Sequence, residues 1–312
     1  MTPRRITDAA RPKLFVFGLG YSAVHFARAC RDRFLRIAGT VTSAGKAHAL
    51  AREGIAAHVF APGQADAGLE DEIASADILL VSIPPDETGD PVLARFAAQI
   101  AAAPRLSWIG YLSTIGVYGD HGGGWVDEAT PPNPRSERSR ERLDAENAWR
   151  ELGARSGKAV HVFRIAGIYG PGRNALRQLA DGTARRIVKS GQVFNRIHVD
   201  DIAAVLMASV DRPRAGAIYN LADDEPAPAP DVIAYAAGLV GVPPPPETPF
   251  EQANLGPLAA SFYAESKRAR NRLIKDELGV RLRHPTYRDG LRALRAAGEG
   301  PSPAPARGQA SG

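Results

Sequence analysis

The residues whose types and spacing point most directly to chemistry are two glycines and an alanine near the start of the chain. They follow an apolar run at 14–17 and precede a segment of helical periodicity, in the order Gly18-Leu19-Gly20-Tyr21-Ser22-Ala23. In a strand–turn–helix unit, Gly18 forms a tight turn, Gly20 approaches a pyrophosphate and Ala23 packs on the strand. The phosphates then lie on the backbone N–H groups that open the helix. These six residues are therefore predicted to bind a dinucleotide.

The end of the second predicted strand indicates which dinucleotide is bound. A protein that selects NAD usually places Asp or Glu about 20 residues past the glycines, where the carboxylate bonds to the ribose 2′-OH. Here the strand ends at Thr42 and Ser43, and no acidic residue follows before Glu53. Ser43 and Lys46 could instead bond to a 2′-phosphate. The sequence therefore favours NADP over NAD and places Thr42, Ser43 and Lys46 in the cofactor site.

Strands and helices alternate along the part of the chain that must position this turn. Strand-like apolar runs occur at 14–17, 35–41, 55–60, 77–83, 106–112 and 160–164, and helical stretches include 46–53, 91–103 and a long helix through 143–152. This alternation predicts an α/β fold with a doubly wound, parallel Rossmann-type sheet that binds ligands at the carboxyl ends of its strands. The continuously apolar run at 77–83 is typical of a strand buried on both faces, and Pro84 follows it. Ser82, Ile83 and Pro84 are therefore predicted to contact the cofactor.

The composition changes after residue 167, which predicts a second lobe. Residues 13–167 are interpreted as the NAD(P)-binding domain, and residues 168–295 as a smaller C-terminal substrate-binding lobe that returns a helix at 200–210 and a strand at 217–221 to the first domain. Residues 1–12 are predicted to be a disordered arm. Residues 296–312, rich in Pro, Ala and Gly, are predicted to be a disordered tail.

Composition and charge exclude several classes of partner. The net charge of the 312 residues is +5, but the basic residues are spread among acidic ones, so we predict no nucleic-acid binding. No apolar run reaches the roughly 18 residues of a spanning helix, so we predict no membrane segment. The single cysteine, Cys30, cannot form an internal disulfide, which favours a reducing, cytoplasmic location. The expected partner is a small-molecule substrate.

Three further stretches follow the glycine turn in an order that resembles a known family. They are LSTIGVYG at 112–119 with DE at 127–128, FRIAGIYGPG at 163–172 and NRIHVDDIA at 195–203. Over residues 13 to about 290 the chain resembles the extended short-chain dehydrogenases/reductases, the NAD-dependent epimerase/dehydratase family. The resemblance implies a bound nicotinamide cofactor, Thr114 at the position of the catalytic Ser or Thr, and Ile168 beside the cofactor. It also implies a possible homodimer through the helix around 137–152.

The resemblance fails at the family's Tyr-x-x-x-Lys pair. Aligned on Pro134 and Glu146, the tyrosine falls at Arg138 and the lysine at Arg142. Arginine does not give up a proton at any useful pH, so Arg138 cannot replace a tyrosine in acid–base chemistry. Arg142 could still hold a ribose or phosphate oxygen of the cofactor. Arg138 lies either on a solvated, salt-bridged helix face or in the cleft, where it would bind an anionic substrate group.

A second Tyr-x-x-x-Lys spacing occurs at Tyr263 and Lys267. A catalytic tyrosine must reach the nicotinamide from the helix beside the strand that carries Thr114. Tyr263 and Lys267 come after the late strand, so the pair is interpreted as a chance match. The resemblance is therefore to the atypical members of the superfamily, which keep the glycine turn and lose the catalytic residues.

Another group must then move the proton if the protein is an enzyme. The candidate catalytic residues are Tyr118 and His121, with Asp90 at the loosely aligned position of the family's Asn, and the candidate substrate-binding residues besides Arg138 are Tyr169 and His198. A histidine near neutral pKa suits proton transfer. Each also has a structural alternative: His121 as an exposed loop residue, the tyrosines as packed rings and His198 as a support of the lobe interface. No metal site is predicted, because the seven histidines show no H-E-x-x-H or paired spacing.

The sequence thus predicts an NAD(P)-binding oxidoreductase or epimerase/dehydratase that transfers hydride to or from a small polar substrate, such as a nucleotide sugar. The alternative is a protein that binds NAD(P) and responds to it without catalysis, since the family's tyrosine and lysine are both replaced.

Overall fold

The computed structural model of the protein describes residues 11–61 and 63–301. The strands are β1 Lys13–Phe17, β2 Arg36–Val41, β3 Ala56–Ala61, β4 Gln64–Ala65, β5 Ile78–Val81, β6 Trp108–Thr114, β7 Trp125–Val126, β8 Ala159–Ile165, β9 Gly167–Tyr169, β10 Arg186–Val188, β11 Arg196–His198, β12 Ala217–Leu221, β13 Glu247–Pro249 and β14 Arg268–Ala269. The α-helices are α1 Tyr21–Ala29, α2 Ala44–Ala51, α3 Leu69–Ser75, α4 Pro91–Ala102, α5 Glu137–Ser156, α6 Ala175–Ala180, α7 Val199–Asp211, α8 Ala229–Val240, α9 Pro257–Tyr263, α10 Arg272–Asp276 and α11 Tyr287–Ala296.

One large sheet positions the predicted cofactor turn. Its eight strands run in the order β12-β8-β6-β5-β1-β2-β3-β4, and every pairing is parallel except that of β3 with β4. The chain winds outward from β1 in one direction through β2 and β3, and in the other through β5, β6, β8 and β12. The carboxyl end of β1 therefore lies at the point where the winding reverses, which is where such sheets bind ligands. The predicted doubly wound α/β fold is confirmed.

Strand β1 shows why the sheet is covered on both faces. Leu14 and Val16 point to a core that also contains Phe26 of α1 and Leu206 of α7. Phe15 and Phe17 point to the opposite core, which contains Phe96 of α4 and Trp149 of α5. A strand buried on both faces has no polar position, and this accounts for the continuous apolar runs in the sequence.

The smaller elements form strand pairs and a core of their own outside the large sheet. Strand β9 pairs with β11, β10 with β13, and β14 with β7. Helices α6, α8 and α11 enclose a separate core that includes Leu176, Ile233 and Leu291. The division of the chain at residue 167 stays a prediction.

The predicted tail requires a correction in its described part. Helix α11 includes Ala296, and the Glu299 carboxylate accepts hydrogen bonds from the Gly172 N–H at 2.7 Å and from Asn174 Nδ2 at 3.3 Å. These bonds hold residues 297–301 against the rest of the protein, which the Pro- and Gly-rich composition did not indicate. The predictions for residues 1–10 and 302–312 lie outside the described residues. Within the described ranges, no helix is both long enough and apolar enough to cross a membrane.

The closeness of β1 and β2 gives a first prediction. A Cβ on Gly39 of β2 would lie 2.5 Å from the carbonyl oxygen of Val16, so Gly39→Ala should lower the free energy of unfolding by about 2 kcal/mol. Gly45→Ala is the matched control, because a Cβ there meets nothing within 4 Å and alanine favours the helix by about 0.5–1 kcal/mol. Urea unfolding followed by tryptophan fluorescence measures both. Equal stability of the two variants would contradict the close packing at Gly39.

Candidate functional site

The glycine turn has the geometry expected of a pyrophosphate site. Gly18 has a φ of +89°, a conformation that side chains disfavour, and Gly20 precedes the first residue of α1. No side chain caps this helix, its first turn contains no acidic residue, and a Cβ on Gly20 would meet nothing within 4 Å. Uncapped N–H groups therefore face open space at the positive end of the helix, so these residues fit a bound pyrophosphate.

Strand β5 forms the next wall of this cleft. The Ser82 N–H donates to the carbonyl of Phe17 at 2.8 Å, and a Cβ on Gly18 would lie 2.8 Å from Cγ1 of Ile83. Ser82 and Ile83 are half-buried and Pro84 is exposed. The structure thus brings the three residues predicted after β5 to the edge of the glycine turn. On the other side, Ser22 and Ala23 are buried against the sheet.

Tyr21 joins the first helix to the Y-G-P-G turn. Its hydroxyl donates to the carbonyl of Pro171 at 3.1 Å, and a Cβ on Gly170 would lie 2.6 Å from that hydroxyl oxygen. The guanidinium of Arg173 lies 5.8 Å from the centre of the Tyr21 ring. The two motifs that are 150 residues apart in the sequence therefore form one rim of the cleft.

The end of β2 offers polar groups and no carboxylate. Thr42 and Ser43 are exposed after β2, and Ser43 precedes α2 without a side-chain capping bond. Lys46 is exposed, and it has no ion pair among the residues that the structure describes. A hydroxyl and an ammonium group are thus free where the ribose of a dinucleotide would lie.

Thr114 lies at the carboxyl end of β6, close to a serine of α5 that the sequence analysis did not single out. Its Oγ1 accepts a hydrogen bond from the Gly116 N–H at 3.0 Å. A Cβ on Gly116 would lie 2.9 Å from Oγ of Ser139 and 3.3 Å from Oγ1 of Thr114, so the bare backbone of Gly116 packs closely against both hydroxyls. Ser139 is 8% exposed, and its Oγ accepts from the Ser136 hydroxyl at 2.9 Å. The signal that could have identified Ser139 is its position directly after Arg138 in the aligned pair.

Arg138 and Arg142 lie in different surroundings on α5. Arg138 is exposed on the first turn of α5 and makes no ion pair within the described ranges. Arg142 is half-buried, donates from Nη1 to the carbonyl of Leu112 at 2.7 Å, and lies over the ring of Tyr111. Arg138 is therefore free to meet a ligand, whereas one nitrogen of Arg142 is already used by β6.

Asp90 serves as a structural residue. Its Oδ1 accepts from the N–H groups of Val92 at 2.9 Å and Leu93 at 3.0 Å, which caps α4, and its Oδ2 accepts from Trp149 Nε1 at 2.8 Å. Asp90 is buried, and desolvation raises the pKa of its carboxyl. One oxygen of the Asp90 carboxylate is thus bonded to α4 and the other to α5.

The side chains of Tyr118 and His121 also make polar contacts with other residues of the protein. The Tyr118 hydroxyl donates to Asn220 Oδ1 at 2.8 Å, the ring is buried, and desolvation raises its pKa. His121 Nε2 lies 3.1 Å from the Tyr118 carbonyl, and the His121 N–H donates to the Ser266 carbonyl at 3.0 Å. These contacts hold the loop at 119–124 against the segment at 265–268. Catalytic roles for Tyr118, His121 and Asp90 stay predictions.

Tyr169 and His198 are opposite each other in the β9–β11 pair. Their rings meet edge to face with centroids 5.1 Å apart, and the Tyr169 hydroxyl lies 3.4 Å from the carbonyl of Thr286. His198 Nδ1 accepts from the Asp200 N–H at 3.1 Å, and burial lowers the pKa of His198 to about 4. Ile168, one residue before Tyr169, is half-buried. His198 therefore lies at the junction of the sheet and the C-terminal segment.

A buried ion pair that the sequence did not predict lies close to Thr114. Arg164 of β8 donates to Glu146 of α5 with distances from 2.8 to 3.2 Å, and the hydroxyl of Ser113 donates to Glu146 at 2.5 Å. Glu146 is 0% and Arg164 2% exposed. The network fixes α5, which carries Arg138 and Ser139, to the two strands beside it. Removing one partner of such a pair leaves an uncompensated buried charge, at a cost of about 3–5 kcal/mol.

The second Tyr-x-x-x-Lys spacing does not form a pair. Lys267 Nζ donates to the Gly119 carbonyl at 2.6 Å and to Glu265 at 2.7 Å. The Tyr263 ring packs against Phe194 and Phe250 instead. The interpretation of this spacing as a chance match agrees with the geometry.

The chain is similar to known proteins both in sequence and in fold. No family model matches the chain. Protein YeeZ from Escherichia coli is 28% identical over 243 residues, which are 75% of this chain and 85% of that protein. A 3-diazoavenalumate denitrifying reductase from Streptomyces is 33% identical over 150 residues, covering 45% of this chain and 48% of the reductase.

Among solved structures, a conserved protein of unknown function from Silicibacter pomeroyi is 49% identical, with a TM-score of 0.84 over 92% of this chain and 99% of its own. The dTDP-glucose 4,6-dehydratase of Bacillus anthracis in complex with NAD has a TM-score of 0.72 at 15% identity, covering 92% of this chain and 97% of its own. Human epimerase family protein SDR39U1 with NADPH has a TM-score of 0.69 at 18% identity, covering 91% of this chain and 99% of its own. The last two similarities are similarities of fold.

Asp223, two residues after the end of β12, gives a pH-dependent prediction. It is 2% exposed, its Oδ2 has no hydrogen-bond partner, and desolvation raises its pKa to about 8. Between its ordinary pKa of about 3.9 and this raised value, the carboxyl ionises only in the unfolded chain, so stability falls as pH rises.

In Asp223→Asn this ionisation is absent. Between about pH 5 and pH 7.5 we expect the free energy of unfolding of the wild type to fall by at least about 1 kcal/mol relative to the variant. Urea unfolding at a series of pH values measures the difference. Asp224→Asn, which changes the neighbouring residue paired with Lys275, is the control. Parallel stability curves for wild type and Asp223→Asn would contradict the prediction.

Proposed function

The chain belongs to one family with the Silicibacter pomeroyi protein and has the fold of the extended short-chain dehydrogenases/reductases, and we propose that it binds NADP(H) and transfers hydride to a small polar substrate. The observation that carries the proposal is the open space at Gly20 in front of the uncapped first turn of α1. A diphosphate placed there would accept from N–H groups that have no side-chain cap.

The preference for NADP rests on Ser43 and Lys46. NAD and NADPH both occur in proteins of this fold, so the fold itself does not choose between them. A 2′-phosphate would accept from the Ser43 hydroxyl and the Lys46 ammonium, both of which are exposed. No carboxylate follows β2 to repel it or to bond to a free 2′-OH.

A bound nicotinamide supplies the hydride donor or acceptor. On the protein side, Thr114 and Ser139 lie on either side of Gly116 and would orient a substrate carbonyl or hydroxyl by hydrogen bonds. In the direction of reduction, the Ser139 hydroxyl would give its proton to the carbonyl oxygen of the substrate. The Ser136 hydroxyl, which is 2.9 Å from Ser139 Oγ and half-buried, returns a proton to Ser139 and takes one from water.

Arg138 would recognise the substrate in this scheme. Its guanidinium is exposed on the same helical turn as Ser139 and fits a carboxylate or phosphate in a two-pronged geometry. The similarity to a protein described as a reductase supports the direction of reduction. The hydroxyls of Ser136 and Ser139 would pass a proton from solvent to the substrate and so take the role of the family's tyrosine.

The second candidate is a protein that binds NADP(H) without turnover. It is favoured by the engagement of Tyr118, His121 and Asp90 with protein atoms, which leaves no titratable group of the predicted set free for proton transfer. Tight NADPH binding with no oxidation in the presence of carbonyl compounds, including acidic ones, would favour this candidate over the reductase.

Gly20→Asp tests cofactor binding. An aspartate before the first turn caps a helix well, so the fold should persist, while its carboxylate would occupy the open space and repel a diphosphate. We expect NADPH affinity, measured by the quenching of tryptophan fluorescence, to fall at least 30-fold and any NADPH-dependent turnover to fall with it. Gly20→Asn is the matched control for size without charge and should weaken binding less. Unchanged affinity in Gly20→Asp would overturn the proposed site.

Lys46→Glu tests the choice of cofactor. The substitution replaces an attraction for the 2′-phosphate with a repulsion, so the dissociation constant of NADPH should rise about tenfold while that of NADH changes less than twofold. The exposed Arg52, the residue directly after α2, provides Arg52→Glu as a control for the general loss of positive charge. Equal losses for both cofactors would remove Lys46 from the site.

A further inference from the structure

Three histidines converge on one carboxylate at a place that the proposed reaction does not use. His25 lies on α1, His198 and Asp200 lie at the start of α7, and His284 lies in the segment before α11. They are far apart in the sequence, and none belongs to a spacing that predicts a metal site. The fold alone brings them together.

The contacts centre on Asp200. His25 Nε2 lies 2.6 Å from one carboxylate oxygen, and His284 Nε2 lies 3.2 Å from the other. His198 Nδ1 lies 3.6 Å from that second oxygen, and the rings of His198 and His284 have centroids 3.9 Å apart. One ligand atom each from His198, Asp200 and His284 can be chosen so that all lie within 4.8 Å of one another. Ligands of a tetrahedral ion at about 2.0–2.2 Å stand only about 3.3 Å apart, so small side-chain movements would close the set.

A second observation indicates that the cluster is incomplete as it stands. His198 is 2% exposed, and its Nε2 has no hydrogen-bond partner. A buried polar atom without a partner is unusual. Coordination of an ion by Nε2 would supply the partner, with the proton of the ring moved to Nδ1 and the hydrogen bond from the Asp200 N–H given up. The nitrogens of His25 and His284 that face away from Asp200 have no hydrogen bond within the described ranges, so both rings can carry their proton there and turn a lone pair inward.

The backbone around the cluster is held in place. Asp201 is 0% exposed, and its carboxylate accepts from the N–H groups of Arg283 at 2.6 Å and His284 at 3.1 Å. This fixes the segment that carries His284 against the start of α7. Supporting bonds of this kind orient the ligands of metal sites. Arg283 Nη1 is 4.0 Å from Asp200, but its side chain is 77% exposed and can turn into solvent.

We propose that Asp200, with His198 and His284, binds a divalent transition-metal ion, and that Zn²⁺ fits best. Two imidazoles and one carboxylate are donors that Zn²⁺ prefers. His25 bonds to the other oxygen of Asp200 and orients the carboxylate from outside the set of ligands. The ion ties the start of α7 to the segment before α11, and solvent takes the fourth position of its tetrahedron. The site is independent of the proposed function.

The test is metal binding by the full chain after removal of metal with a chelator. Titration with Co²⁺, followed by visible absorption, should show one tight tetrahedral site per chain that Zn²⁺ displaces, and Zn²⁺ should raise the melting temperature. Asp200→Asn and His284→Gln should each weaken Co²⁺ binding at least tenfold. His58→Gln, which changes a histidine paired with Glu72 away from the cluster, is the matched control and should bind as the wild type does.

Two outcomes would overturn the proposal: no saturable Co²⁺ or Zn²⁺ binding by the wild type, or undiminished binding in both Asp200→Asn and His284→Gln. If Asp200→Asn does not fold, His198→Gln serves in its place. Gly20→Asp should retain the metal site while losing NADPH, so failure of this proposal is distinguishable from failure of the cofactor proposal.

Discussion

The glycine turn depends on a single residue of the neighbouring strand. Thr40 of β2 accepts the Gly18 N–H on its side-chain oxygen at 2.9 Å and the Leu19 N–H on its carbonyl at 2.7 Å. These two bonds hold the backbone in the positive-φ turn and direct the next N–H groups toward the cleft. Thr40 is 1% exposed, so water does not compete for the bonds. The cleft is therefore shaped before any ligand arrives, which lowers the conformational cost of binding.

On the opposite side of the cleft, a buried ion pair positions helix α5. Glu146 and Arg164 hold α5 on β6 and β8, and the aromatic ring of Tyr118 covers the guanidinium at 4.8 Å. A buried pair of this kind contributes little net stability, because desolvation offsets the attraction. Its effect is on position: it fixes α5 on the sheet, with the hydroxyls of Thr114 and Ser139 on either side of Gly116.

The sequence predicted the architecture well because the relevant signals are local. Alternating apolar runs and the Gly18–Ala23 spacing depend on neighbours in the chain, and the sheet followed from them. The role of Asp90 had a local signal too, since an aspartate followed by Pro91 is typical of a helix start. The closeness of Thr114 to Ser139 and the convergence of the histidines on Asp200 had no local signal. Both arise where segments from different parts of the chain meet, and side-chain distances across such junctions cannot be inferred from spacing.

The bonds of Glu299 to the turn at 170–174 link the end of the described chain to the mouth of the cleft. The same turn receives the Tyr21 hydroxyl, so one carboxylate near the C-terminus braces a loop that borders the first helix. Shortening the protein before residue 299, or fusing a bulky partner there, would loosen that border without touching any residue of the cleft. The choice of where the recombinant chain stops is thus a choice about the shape of the cleft itself.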